Sequence, residues 1–248
     1  MDEYRSPSKG LQVICRMHPN LSRQRVLDSA QDIAELGLLG VENPFKILKR
    51  TTSRLSDGSL VLGYILSESH LVVIVNPDGT VHYDLYTCRG PEDGKETFDY
   101  IKNNLKAEVS NSVRMHVIPD EKELTHDNFA KSNGLFVPKP YLSSTFLGVD
   151  HSSLPKGKDE EERNADLTRK LRPSFGPSVE SSVVDYNEFF GVKSDIPSVT
   201  FLYVMPDGSY VWGHSYLGEF KSACFGTYRR DGRSTEHDLR ELQKVFSQ

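Results

Sequence analysis

The stretch YILSESHLVVIVNPDGTVHYDLYTCRG, residues 64–90, sets Ser67, Glu68, Ser69 and His70 in a row beside an apolar run, with a lone Cys88 nineteen residues after Ser69. Polar residues at the rim of a buried strand need partners or a task. One task is open to a serine that follows a carboxylate residue in a strand-edge turn. The Ser69 hydroxyl can attack the Glu68 carbonyl carbon, forming a C–O bond as the C–N bond breaks and turning the amide into an ester. A base then takes the Ser69 α-proton, the ester leaves by β-elimination, and hydrolytic loss of ammonia converts residue 69 to a pyruvoyl group. Such a reaction needs that base and a donor for the oxyanion intermediate. A pyruvoyl carbonyl forms a Schiff base with an amine and draws electrons away from a departing carboxylate. The carbanion left behind needs a proton donor, a task within reach of a partly exposed cysteine. On pattern alone the simpler alternatives are edge-strand serines and a small buried thiol.

These residues must be held by surrounding elements. LQVICRM (11–17) reads as a strand, and NLSRQRVLDSAQDIAELGL (20–38) as a helix capped by Asn20 or Ser22. FKILKRTTSRL and LVLGYILSESHLVVIV are β-branched runs separated by the Ser-Asp-Gly turn at 56–58. NPDG (76–79) signals a hairpin into TVHYDLYTC, KETFDYIKNNL (95–105) a short helix, and SVRMHVIPD (112–120) a last strand. The order β-α-β-β-β-α-β predicts an α+β fold: an antiparallel sheet with helices on its outer face.

The second part, 139–248 against a first half of 1–138, offers SSTFLGVD (143–150) as a strand and KDEEERNADLTRKLR (158–172) as a charged helix. RPSFGPSVESS reads as a breaker-rich connection, followed by a hairpin through MPDG (205–208) and a final helix with Ser234 as N-cap. SHLVVIVNPDGTVHYDLY and SVTFLYVMPDGSYVWGHSY align without a gap and put Ser69 over Ser198, which suggests two similar halves of an αββα sandwich.

Composition narrows the classes. The chain has 248 residues, 37% hydrophobic and 26% charged, with net charge −5, which is no nucleic-acid footprint. Its three cysteines, Cys15, Cys88 and Cys224, form no CxxC pair; an odd count and a polar start, MDEYRSPSKG, suit a cytoplasmic protein without a membrane anchor. No His/Cys cluster suggests a metal, and no GxGxxG suggests a nicotinamide.

YILSESHL and DLYTCRG resemble the S-adenosylmethionine decarboxylases, pyruvoyl enzymes of polyamine synthesis, over roughly residues 11–120 in element order. The resemblance implies self-cleavage between Glu68 and Ser69, Ser69 as the pyruvoyl source, Cys88 as the proton donor, and Leu66 and Glu68 beside the substrate S-adenosylmethionine. Bacterial members place a processing histidine five residues after the cleaved serine, where this chain has Ile74, and a processing serine on the preceding strand, near Val61 here. Eukaryotic members are two fused halves with that histidine and serine in the second. Here Thr200 and Asp207-Gly208-Ser209-Tyr210-Val211-Trp212-Gly213-His214 are similar to their motif, with Ser198 as the alternative hydroxyl. Glu219 matches an acidic segment near the substrate ribose, and Tyr4 and Phe190 are candidates for the aromatic pair that stacks adenine or, equally, for core. Strand alternation sends His70 to the face opposite Ser69, a structural role, and His82 beside its turn reads as exposed.

The leading expectation is thus a self-processing decarboxylase of S-adenosylmethionine. Two others stand beside it: a decarboxylase of a free basic amino acid such as ornithine or arginine, and an unprocessed non-catalytic paralogue that binds a ligand or partner. Assembly is open between a closed monomer and a homodimer.

Overall fold

The alternating run at 11–17 becomes the centre of β1 (Gly10–Pro19), and around it the first unit assembles. The structure, a computed structural model, describes residues 10–42, 44–67, 69–87, 91–117, 142–148, 151–191, 198–215, 222–233 and 235–246. These divide into two compact units, split between residues 117 and 142, each built on its own antiparallel sheet.

In the first unit, helix α1 (Arg23–Leu39) starts where Ser22 accepts from the Arg25 N–H, so Ser22 rather than Asn20 is the cap. Val26, Leu27, Ala30, Ala34 and Leu38 recur at helical spacing and face the sheet. The remaining elements are β2 (Ile47–Arg54), β3 (Leu60–Leu66), β4 (Ser69–Val75), β5 (Val81–Thr87), α2 (Pro91–Asn104) and β6 (Ala107–Val117). The six strands lie in the order β2-β3-β4-β5-β1-β6. Phe98 and Ile101 of α2 join the α1 stripe against Val13, Cys15 and Met17 of β1 and Leu71, Val73 and Val75 of β4. Helices thus cover one face of the sheet, as the sequence leads one to expect.

One departure bears on the site. The run 60–75, which the sequence presents as a single strand, is two strands, because the chain reverses between Leu66 and Ser69, which pair directly. Every residue of β3 and β4 is buried, so no polar alternation marks the reversal. Ser67, Ser69 and His70 therefore lie at the tip of a hairpin.

The second unit contains β7 (Leu142–Gly148), a 3₁₀ turn (His151–Ser153), α3 (Glu160–Phe175), β8 (Glu180–Asp185), α4 (Tyr186–Phe190), β9 (Val199–Val204), β10 (Tyr210–Ser215), β11 (Ser222–Tyr228) and α5 (Glu236–Phe246). Asp159 caps α3 through the Glu162 N–H, and Glu160, Glu161 and Glu162 complement the helix dipole. The stretch 172–182, read from sequence as a connection, instead continues α3 through Pro173 to Phe175 and then begins β8. Phe175 extends the buried Arg163–Leu167–Leu171 stripe by one more i+4 step, and that packing outweighs a proline in the last turn. The expected cap Ser234 lies outside the described residues. Leu167, Leu171, Phe175, Leu242 and Phe246 cover one face of this sheet against Val199, Phe201, Tyr203, Val211 and Phe225.

The two units repeat one topology. From one edge the first sheet runs β2-β3-β4-β5-β1-β6, and from its β8 edge the second runs β8-β9-β10-β11-β7. In both, a helix joins the first strand to the second and another follows the fifth. This makes β9–β10 the counterpart of β3–β4, whereas the ungapped sequence alignment lays β9–β10 over β4–β5. That alignment is corrected by the faces. It puts Leu71, Val73 and Val75, which face helices, over Thr200, Leu202 and Val204, which alternate with the helix-facing Phe201 and Tyr203. The alignment follows a turn, not an ancestry. Asp57, Asp78 and Asp207 each accept from the N–H two residues on, with Gly58, Gly79 and Gly208 at φ of +84°, +81° and +82°.

Candidate functional site

Ser69 opens β4, paired with Leu66 across the hairpin and with Thr87 of β5 on its other side. It alternates with Leu71, Val73 and Val75 and so points toward the helix-covered face. The side chain is fully buried, and its hydroxyl has no hydrogen-bond partner among the described residues. A buried hydroxyl left unpaired costs about 1–3 kcal/mol, so the fold keeps Ser69 against a penalty. Glu68 and Cys88 lie outside the described residues; Cys88 is the residue after Thr87, the direct strand partner of Ser69. Leu66 is buried.

His70 lies on the opposite face, where its Nε2 is 3.7 Å from Asp84 Oδ2 and its ring stacks on Tyr86 at 5.8 Å between centroids. Gln12 Nε2 donates to Asp84 Oδ1 at 2.9 Å. This buried carboxylate thus has two neighbours on strands either side of its own, and His70 belongs to that lattice of polar partners rather than to the Ser69 hydroxyl. His82 is a correction: it is 6% exposed, because the alternation of β5 sets it across from the buried Ile74.

Cys15 and Tyr83 are further ionisable groups of the helix-facing core. Burial, then the Asp84 charge, pushes the Cys15 thiol up to about 12. Burial, then Cys15, Asp84 and Asp99, holds the Tyr83 phenol well above its usual range. Both groups stay protonated at neutral pH and serve as packing.

In the second unit, the strand pair β9–β10 sets Thr200 directly opposite His214. Both side chains are buried, and Thr200 Oγ1 lies 2.7 Å from His214 Nδ1. The same hydroxyl donates to the Tyr186 hydroxyl at 2.5 Å. In the contact between Thr200 and His214 the donor is the hydroxyl or the ring N–H, according to the imidazole tautomer. Trp212 stands beside His214, with ring centroids 5.5 Å apart. Its indole fits only because position 226 on the neighbouring strand is glycine: a Cβ there would sit 2.3 Å from the ring.

The pair has a counterpart in the first unit. Counting from the hairpin turn, the pairs facing away from the helices are Ile65–His70, Gly63–Val72 and Val61–Ile74 in one sheet. In the other they are Val204–Tyr210, Leu202–Trp212 and Thr200–His214. The third pair is apolar in the first unit and a hydrogen-bonded hydroxyl–imidazole pair in the second.

Ser198, the alternative hydroxyl, is engaged elsewhere. It donates to the Ser215 carbonyl at 3.3 Å, while Ser215 Oγ accepts from the Val199 N–H at 2.7 Å, so these serines close the end of the hairpin. Phe190 is 43% exposed and contacts Phe189 and Tyr186 by ring edges. Tyr4 and Glu219 lie outside the described residues. Sequence reasoning passed over Tyr186. Its signal was the alternation Ser182, Val184, Tyr186, which continues the face of β8 whose Val184 pairs with Thr200. Among the described residues no helix is long and apolar enough to cross a membrane, and no three His, Cys, Asp or Glu side chains converge as a metal set.

No known family profile matches this chain, and no curated protein matches it. Among solved structures, the adenosylmethionine decarboxylase of Aquifex aeolicus VF5 aligns at 14% identity and a TM-score of 0.39, over 48% of this chain and 99% of its own. A Fusobacterium nucleatum protein provisionally named a monooxygenase aligns at 11% identity and a TM-score of 0.28, over 97% of this chain and 89% of its own.

Proposed function

We propose that this chain is a self-processing, pyruvoyl-dependent decarboxylase of S-adenosylmethionine, acting in the cytoplasm and supplying an aminopropyl donor for polyamine synthesis. The observation that carries the proposal is the Ser69 hydroxyl, buried and without a partner among the described residues, at the tip of a hairpin whose sequence resembles the self-cleaving motif. An orphaned buried hydroxyl is the feature expected of a nucleophile awaiting its own peptide carbonyl, so the residues present fit a serine-derived pyruvoyl group.

Each residue then has a task. Ser69 Oγ attacks the Glu68 carbonyl. Thr200 and His214, held together at 2.7 Å, are the proposed processing pair, as the motif resemblance suggests. Once formed, the pyruvoyl group supplies an electrophilic carbonyl for the substrate amine and a sink for the electrons of the departing carboxylate. Cys88 gives the proton that completes the product. Leu66 and Glu68, with Glu219, Tyr4 and Phe190, are the proposed substrate contacts, as the motif resemblance suggests.

Intact-mass spectrometry of the purified protein beside Ser69→Ala tests the proposal. The expected result is two fragments, 1–68 and 69–248, the larger without an ordinary N-terminal amine, and one uncleaved chain for the variant. A single uncleaved chain in both samples would remove the cofactor and, with it, the decarboxylase. Cleavage with turnover of ornithine or arginine in place of S-adenosylmethionine would correct the substrate alone.

A further inference from the structure

Tyr186 stands at the junction of β8 and α4, 2% exposed, and its hydroxyl is the group that receives the Thr200 hydrogen. Its backbone is fixed from three sides. Asp185 caps α4 by accepting from the Asn187 N–H at 2.9 Å, and the Tyr186 N–H donates to the Ser198 carbonyl at 2.7 Å. Glu188 on the same short helix pairs with Arg163 of α3 at 2.6 Å, a guanidinium that is itself 8% exposed. A phenol mounted this firmly, at the short end of the range for O–H···O bonds, does more than fill space.

We infer that Tyr186 is a positioning residue: by accepting the Thr200 hydrogen it makes Thr200 an acceptor toward His214 and holds that imidazole with its proton on Nδ1 and its lone pair on Nε2. The inference rests on the self-processing reading for its consequence, but the proton placement stands on the Tyr186–Thr200–His214 chain itself. A threonine between two partners has one hydrogen to give. With the phenol present it goes to Tyr186. Without it, the hydroxyl turns to Nδ1, and the imidazole proton moves to Nε2, leaving no lone pair where a base would use one. Phenylalanine at position 186 keeps the ring and its contact with Phe190, 6.3 Å between centroids, and removes only the oxygen.

Nitrogen-15 NMR of the histidine ring reads this directly. The full-length Ser69→Ala chain, which cannot cleave, is compared with Ser69→Ala/Tyr186→Phe and with Ser69→Ala/Thr200→Val, at equal thermal midpoints. The expected tautomer of His214 is Nδ1–H in the first and Nε2–H in the second. Adding Tyr186→Phe to Thr200→Val should change nothing further, because the phenol acts only through the threonine. In the chain that retains Ser69, Tyr186→Phe should slow self-cleavage about 10²-fold, the lower end of what a placed base contributes. An Nε2–H tautomer in the parent, a tautomer unmoved by Tyr186→Phe, or a further change from Tyr186→Phe in the Thr200→Val chain overturns the inference. A chain that never cleaves but shows the expected tautomer shift keeps Tyr186 in its place and removes the decarboxylase instead.

Discussion

Ser69→Ala should stabilise the uncut protein, the reverse of what deleting a buried hydroxyl ordinarily does. The hydroxyl is fully buried with no partner among the described residues. Its desolvation costs about 1–3 kcal/mol, and the void left by one oxygen gives back about 1 kcal/mol, so the net gain is about 1 kcal/mol. For a chain of this size that raises the melting midpoint by about 2–4 °C. The reference must also stay whole, so the comparison is His214→Gln against Ser69→Ala/His214→Gln, followed by urea titration with attention to the midpoint at constant slope. Ser215→Ala in the Ser69→Ala chain is the internal control. That hydroxyl accepts from the buried Val199 N–H at 2.7 Å, and its loss should destabilise by about 1–3 kcal/mol. The same chemical change at two buried serines therefore has opposite signs. If Ser69→Ala instead destabilises by as much as Ser215→Ala, the hydroxyl has a partner in solution and the case for an idle nucleophile fails.

Alkaline pH should weaken the fold through Cys15. Its thiol is raised by burial from 9.0 to about 12, so the unfolded chain ionises first and stability present below pH 9 is lost as pH climbs toward 12. Between pH 8 and 10.5 this amounts to about 2 kcal/mol, and Cys15→Ala should flatten the urea-midpoint trend by that much; parallel trends would show the thiol titrating normally. Gly226→Ala drives a Cβ to 2.3 Å from the Trp212 indole, which should destabilise by about 1–3 kcal/mol and shift the emission of this single tryptophan. Unchanged fluorescence and stability together would mean that the ring does not pack against position 226.

Much of the architecture was legible in the sequence because it rests on local chemistry. Ser22 and the Asp-Gly turns announce themselves by residue type, and the α1 stripe by its spacing. What escaped was set by contacts distant in sequence. A chain reversal between the fully buried strands 60–66 and 69–75 leaves no polar alternation to read, and a proline at 173 looks like a stop until Phe175 finds the core. The site divides along the same line. Ser69 stands out by its neighbours in sequence, and Thr200 and His214 by a motif. Tyr186 enters only through a hydrogen bond between strands, and His82 is buried by a strand partner that its turn-side position does not suggest.

The repeated topology gives the hydroxyl–imidazole pair a second place, in the sheet other than the one that carries Ile74. A two-residue register pattern is carried by backbone pairing and not by side-chain type, so a duplicated sheet presents the same third pair twice. In this chain Val61 and Ile74 have joined the buried apolar residues of their sheet, where an imidazole would need partners of its own. Thr200 and His214 have such partners in each other, in Tyr186 and in Trp212. The motif that resembles the self-cleaving one is in one unit and the hydroxyl–imidazole pair in the other. Restoring the first-unit pair by Val61→Thr with Ile74→His in a His214→Gln chain would bury an imidazole and a hydroxyl beside His82, the strand neighbour of Ile74. The desolvation cost of that buried imidazole is a physical reason for the first sheet to hold an apolar pair there.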